Sequence, residues 1–532
     1  MVSQSTQKLI QKYQEWYQSL KPRTGVSTIH VDEVASAIAS FYEKIRGVVE
    51  WREEHLLRRA AIERILKRRL MLQKNDQELA EPFVLELIRG GHFPNDQIEE
   101  TKIEGAKNIL NKYFFIFENS PRPPKEKVKI QLYDWFLNIC ACEIEELLSP
   151  PIKEKILIEY MAELMKERIE IIEKKFFISQ ISKEEKETQV YIAVQRALFK
   201  LDAPIITYSL LKKKYPNWST LSQAQLREIA DNIYFIWEEM EKNLKHPLSE
   251  RFYRICERYD TLYLILGDII SQNPPESQKK LEDPEILEKS IREAYRLRLS
   301  KLKSRLTRAA VYSTISIFLT KMLIAFAVEV PFDKYFLKEF SYRALEFNIL
   351  IPPLLMFFLV LTIRPPRKEN LERVIMETMK LVYEKERKDV YTIKLPRKRG
   401  LILNFIIVIF YLLTYIVTFG LIIWGLDKLN FGILSIIIFL IFFSLIAFAG
   451  VKIRERAREL DIMEKRAGFF TFLIDTFSLP ILRLGRWLSS QWVKYNIVLV
   501  LITAFIDLPF QIFTEFVEHW RTFLKEKRDE IH

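Results

Sequence analysis

Glycine is scarce in this chain, with 13 in 532 residues, about a third of ordinary usage. Few positions can therefore turn with positive φ, which argues against a β-rich fold and its many tight turns. No G-x-G and no G-x-x-x-x-G-K occurs, so the dinucleotide and P-loop cradles for phosphate are both missing. Cysteine is scarcer still. Cys140, Cys142 and Cys256 form no C-x-x-C pair. Residues two apart on a helix face different ways, so the expectation is three small buried thiols in a reducing compartment. The six histidines make neither H-x-x-x-H nor H-E-x-x-H. These gaps leave no metal site, no cofactor and no catalytic residue to assign. The opening residues, "MVSQSTQKLIQKYQEW", lack a basic stretch followed by an apolar run, so no secretory signal peptide is expected there.

What the chain has in quantity is apolar length. Residues 401–426 and 431–451 carry no charge, separated only by "DKLN". About 20 residues span a hydrocarbon core, so both read as transmembrane helices in a tight hairpin. Residues 309–328 and 345–363 form two further runs, interrupted by Lys321 and by Pro352–Pro353. Adjacent prolines remove two backbone donors and predict a kink. A fifth run, 496–514, contains Asp507 and Pro509.

The net charge of +12 is unevenly spread. Residues 1–308 hold 51 basic against 47 acidic side chains, and residues 309–532 hold 30 against 22. Since the larger excess flanks the apolar runs, it points to a membrane and not to a nucleic acid. Seven basic residues lie at 292–308, three at 329–344, twelve at 364–400, one in "DKLN" and six at 452–466. High and low counts alternate, which is the positive-inside pattern with the N-terminal region in the cytoplasm.

Residues 1–282 read as helices with marked starts. Ser182 and Ser222 stand three residues before Glu185 and Gln225, the capping-box spacing, and Asp283–Pro284 has the form of an N-cap followed by N1. The expected fold is all-α: a large helical cytoplasmic domain (1–282), then a polytopic helical membrane domain with four spans and a fifth candidate. The divisions are a basic juxtamembrane helix (283–308) continuous with the first span, a first hairpin (309–363), a basic loop with an amphipathic helix (364–400), a second hairpin (401–451) and a C-terminal region (452–532) with an interfacial segment and the fifth run.

An ammonium inside an apolar run is costly alone and demands a partner. Lys321 and Asp507 each fall eight residues before a glutamate, at about 12 Å of helix rise, which makes them a candidate intramembrane pair. Pro352, Pro353 and Pro509 are the candidate kinks. Arg364, Arg367, Lys368, Arg483, Arg486 and Trp487 are the candidate headgroup-binding residues at the inner face. The implied partners are the bilayer with its anionic headgroups, a protein docked on the N-terminal domain, and a second copy in a homo-oligomer; no nucleic acid is expected. The leading functional expectation is a non-enzymatic protein that binds a partner or organises the membrane. A transporter or channel subunit using Lys321 and Asp507 stands second, a lipid-acting membrane enzyme third.

Overall fold

The computed structural model describes residues 2–20, 25, 27–34, 36–41, 54–72, 79–123, 125–172, 181–332, 334–335, 342–361, 366, 368–383, 390–394, 400–429, 431–462, 469–494 and scattered positions from 512 to 527. It is 85% helical and all-α, as the composition demands. The helices are α1 (Gln4–Ser19), α2 (Glu54–Leu72), α3 (Ala80–Arg89), α4 (Thr101–Glu118), α5 (Glu126–Leu148), α6 (Ile152–Arg168), α7 (Lys183–Phe199), α8 (Ala203–Lys214), α9 (Gln223–Asp231), α10 (Ile233–Leu244), α11 (Ser249–Gln272) and α12 (Ser277–Glu282). Then come α13 (Pro284–Ile324), α14 (Tyr342–Leu361), α15 (Lys368–Tyr383), α16 (Leu401–Lys428), α17 (Ile433–Ala457) and α18 (Phe469–Lys494).

The caps fall where hydroxyl and carboxylate spacing put them. Ser182 Oγ accepts from Glu185 N at 3.0 Å. Ser222 and Gln225 form the reciprocal capping box. Asp283 accepts from the amides of Glu285 and Ile286, which opens α13. The three cysteines are free and buried, and burial pushes each thiol upward in pKa.

Two apolar cores share the N-terminal region. One gathers α2–α5 with α8–α10, around Phe83, Leu87, Ile144 and Trp218. The other gathers α1, α6, α7, α11 and the first half of α13, around Met161, Phe252, Leu266 and Ile291. Helix α7 joins them, with Val190 and Val194 in one core and Ile192 in the other.

The second core also contains residues from far along the chain. Val374, Ile375, Leu381 and Val382 of α15 are buried in it. The amphipathic helix of the basic loop therefore spends its apolar stripe on the N-terminal helices. Beyond it lies a structural feature that the helical reading did not foresee. Strand β1 (Ile169–Ile172) pairs in parallel with β2 (Tyr391–Lys394), with Ile169 opposite Tyr391. Isoleucines and a tyrosine in short runs suit a strand, and Tyr391 stacks on Tyr259 of α11 at 4.4 Å between ring centres.

Asn370 closes this joint. Its Nδ2 donates to Tyr295 Oη at 3.1 Å and to the Leu460 carbonyl at 2.5 Å, while its Oδ1 accepts from Ile462 N at 2.9 Å. One buried amide thus ties α13, α15 and the segment after α17 together. Thr261 Oγ1 adds a bond to the Glu459 carbonyl at 2.9 Å, and Arg292 grips Glu372 with two guanidinium nitrogens, at 2.8 and 3.1 Å.

Three described helices are long and apolar enough to cross a membrane: the continuous Pro284–Phe332 rod, the 402–428 helix and α17. The rod, 49 residues and about 74 Å at the standard rise, runs on as one helix out of the second core, as the lack of glycine and proline between Glu285 and Val330 predicts. Helix α14 is a shorter apolar companion; it continues through the buried Pro352 and Pro353. Gly450 brings α17 against Leu359, and Gly485 brings α18 against the Ser444 backbone so closely that a Cβ at either position would collide. Small residues at helix crossings allow such backbone approach.

Two outcomes follow from the joint. Asn370→Leu leaves the Leu460 carbonyl and Ile462 amide without partners, and thermal unfolding should register a loss of about 2–4 kcal/mol. Asp260, buried next to Thr261, has its carboxyl raised from 3.8 to about 8 by burial, against the pull of Lys200 Nζ at 3.9 Å. The folded state then holds the proton more tightly than the unfolded chain does. Stability should fall as pH rises from about 4 to about 8 and level off above. Asp260→Asn should flatten that slope in denaturant titrations.

Candidate functional site

The site is built from the residue that the apolar pattern could not absorb. Lys321 lies on α13 and is fully buried. Its ammonium pairs with Glu329 Oε1 and stands 5.4 Å from the centre of the Phe442 ring on α17. The other carboxylate oxygen, Glu329 Oε2, accepts from Asn348 Nδ2 of α14 and from Ser435 Oγ of α17, the latter at 3.3 Å. Glu329, Asn348 and Ser435 are themselves buried. Three polar side chains from three apolar helices thus converge on one carboxylate.

The local backbone explains how residues eight apart meet. At about 100° per residue, positions i and i+8 of a regular α-helix point about 80° apart. Here a π-type turn occupies Ala325–Glu329. Such a turn absorbs one extra residue with little advance around the axis, so Lys321 and Glu329 behave like i and i+7, about 20° apart. Pro331 follows two residues later; having no N–H, it cannot close the regular turn onto the Ala327 carbonyl, which favours the wider winding. On α14, Pro352 likewise leaves the Asn348 carbonyl without its helical donor. The Asn348 Oδ1 is buried and has no hydrogen-bond partner among the described residues.

The carboxylate that meets Lys321 among the described residues is Glu329, a residue that the sequence reading used only to mark a helix end. Asp507 and Pro509 lie outside the described residues, as do Arg364 and Arg367. Lys368 is exposed at the start of α15. Arg483 lies with its guanidinium 5.0 Å from the Tyr411 ring of α16, and Arg486 and Trp487 are exposed on α18. Among the described residues, Lys368 on α15 has no contact with Arg483, Arg486 or Trp487 on α18. Nor does α18 rest apart from the apolar helices: Gly485 touches α17 at Ser444, and Thr418 Oγ1 of α16 donates to the Phe477 carbonyl at 3.1 Å, one turn before Pro480.

A second buried cluster lies in the N-terminal region. Lys112 Nζ donates to Glu143 Oε1 at 2.5 Å and to the Trp218 carbonyl at 2.9 Å; Tyr113 Oη and Trp218 Nε1 donate to Glu143 Oε2 at 2.8 and 3.0 Å. Each of these donors is matched, so the cluster acts as a brace between α4, α5 and the turn at Trp218. Among the described residues no group of three His, Cys, Asp or Glu could hold a metal ion. Comparison with protein-family models, with curated proteins and with solved structures finds no match.

Removing one member of a buried ion pair strands the other, at about 3–5 kcal/mol. Lys321→Met and Glu329→Gln should each lower the melting temperature in detergent, and the double variant should recover most of the loss. Additive losses in the double would show that the two do not act as a pair.

Proposed function

We propose that the chain is an integral membrane protein whose helical N-terminal domain, on the cytoplasmic side, is fixed to its spans and serves to bind a protein partner or organise the inner membrane face. The rod, α14, α16 and α17 are its four spans in this reading, with 496–514 as a fifth. The alternation of basic flanks supports the orientation. One observation carries the proposal: the segment joining the two hairpins, α15 and β2, is packed into the core of the N-terminal domain. A domain held on a flexible tether would not need this. Burial of α15 removes relative motion and makes the domain and the membrane helices one lever, which suits a scaffold that holds a partner at a set height.

Transport stands second, favoured by the Lys321–Glu329–Asn348–Ser435 cluster and its unmatched Asn348 Oδ1, since buried charges and interrupted helices mark solute paths.

The orientation is checked with a single added cysteine. Phe235 is 67% exposed, and the native thiols are buried. Phe235→Cys should resist an impermeant maleimide in intact cells and react in inverted vesicles; the opposite result removes the proposal. The two functions separate through the folded double variant Lys321→Met/Glu329→Gln. As a scaffold it should keep a partner that is photo-crosslinked to the domain in native membranes. Solute flux in proteoliposomes of the wild type, absent in the double variant, would favour transport.

A further inference from the structure

Two groups stand out among the nine basic residues of α13. Arg292 is paired with Glu288 and Glu372, and Arg298 with Asp268. Both belong to the N-terminal core. Farther along, Lys301, Arg305 and Arg308 are exposed, no described carboxylate pairs with them, and α13 has no Asp or Glu between Glu293 and its end. Like charges on one helix face repel each other. No carboxylate among the described residues offsets this.

The same face then changes character. Tyr312 is 67% exposed, Ile315 51% and Leu319 58%. At about 100° per residue, Lys301, Arg305, Arg308, Tyr312, Ile315 and Leu319 lie within about 40° of one line along the helix. The line is about 27 Å long: about 10 Å of cation, then an aromatic ring, then apolar side chains. From Arg308 to Leu319 is about 16 Å, close to half of the roughly 30 Å hydrocarbon core. Charge, aromatic ring and apolar side chains follow in the order in which a phospholipid presents phosphate, glycerol and acyl chain.

We propose that this stripe binds an anionic phospholipid lengthwise, with its phosphate among Lys301, Arg305 and Arg308, its glycerol region at Tyr312 and an acyl chain along Ile315 and Leu319. The proposal rests on the reading that α13 enters the bilayer. It adds that position on the helix, and not the count of basic residues alone, selects the lipid. A zwitterionic lipid gives the three cations no net countercharge. A protein partner would have to enter the bilayer to cover Ile315 and Leu319.

The test uses the full chain in nanodiscs of phosphatidylcholine with a minor share of phosphatidylglycerol, with retained lipids counted by native mass spectrometry. The wild type should retain phosphatidylglycerol preferentially. Lys301→Gln/Arg305→Gln/Arg308→Gln should weaken that retention on the order of a hundredfold, at about fivefold per cation. The decisive variant is Thr307→Arg/Arg308→Thr, which keeps the charge count and the topology signal but moves one guanidinium off the stripe, to about 120° from its line. It should lose about fivefold. Wild-type retention in this variant, or no lipid preference in the wild type, overturns the proposal. Alkaline carbonate separates the two claims: wild-type protein released from membranes would overturn the bilayer reading and the lipid site with it. Protein that stays integral without lipid preference would overturn the site alone.

Discussion

The Pro284–Phe332 rod has to satisfy two surroundings with one backbone. Its first half is a core helix, with Leu287, Ile291 and Tyr295 packed among α11, α12 and α15. Its second half is an apolar helix that exposes Tyr312, Leu319 and Leu323. A helix cannot bend freely between these without losing hydrogen bonds. Whatever fixes one half therefore aims the other. The Asn370 clasp and the paired Arg292 and Arg298 fix the first half, and the Glu329 cluster fixes the far end against α14 and α17. The packing of α15 follows from the same requirement, because a rod of this length held at one end only would amplify small errors of angle.

The buried charged groups are gathered into clusters with partners of opposite charge. In the N-terminal region the buried Lys112 and Arg59 are surrounded by acceptors on several helices. Among the apolar helices a single carboxylate, Glu329, takes the ammonium of Lys321, the amide of Asn348 and the hydroxyl of Ser435. Neutralising the charges within a cluster is the condition for burying them at all. Within the Glu329 cluster the Asn348 Oδ1 has no hydrogen-bond partner among the described residues. Beyond the clusters, glycines let neighbouring helices pack closely, Gly450 against the Leu359 side chain and Gly485 against the Ser444 backbone.

Much of the helical layout is legible in the residues themselves. The starts at Ser182, Ser222 and Asp283 are local: a side chain two or three residues from an amide either caps it or does not. The apolar stretches declare themselves by length. Less legible was the site. Lys321 announces itself because it breaks a run. Glu329 does not, because it stands where a run ends and a charge is expected. Only Pro331 gave a hint of the π-type turn that brings the two together. The apolar stripe of α15 was visible, but a stripe suits a lipid surface and a protein core equally well. The strand pair was hidden too, since four residues in each strand are too few to show alternation.

By itself, then, the sequence determined the all-helical class, the long apolar helices, the continuity of α13 and its caps, for these depend on composition and on contacts a few residues long. Tertiary structure decided that α15 docks on the N-terminal helices, that β1 meets β2, and that Glu329 meets Lys321, Asn348 and Ser435. The physical reason is one of range. Each of those contacts except Lys321–Glu329 joins residues at least 19 positions apart, and even that pair depends on a change in helix winding, so no periodicity along the chain carries a record of them.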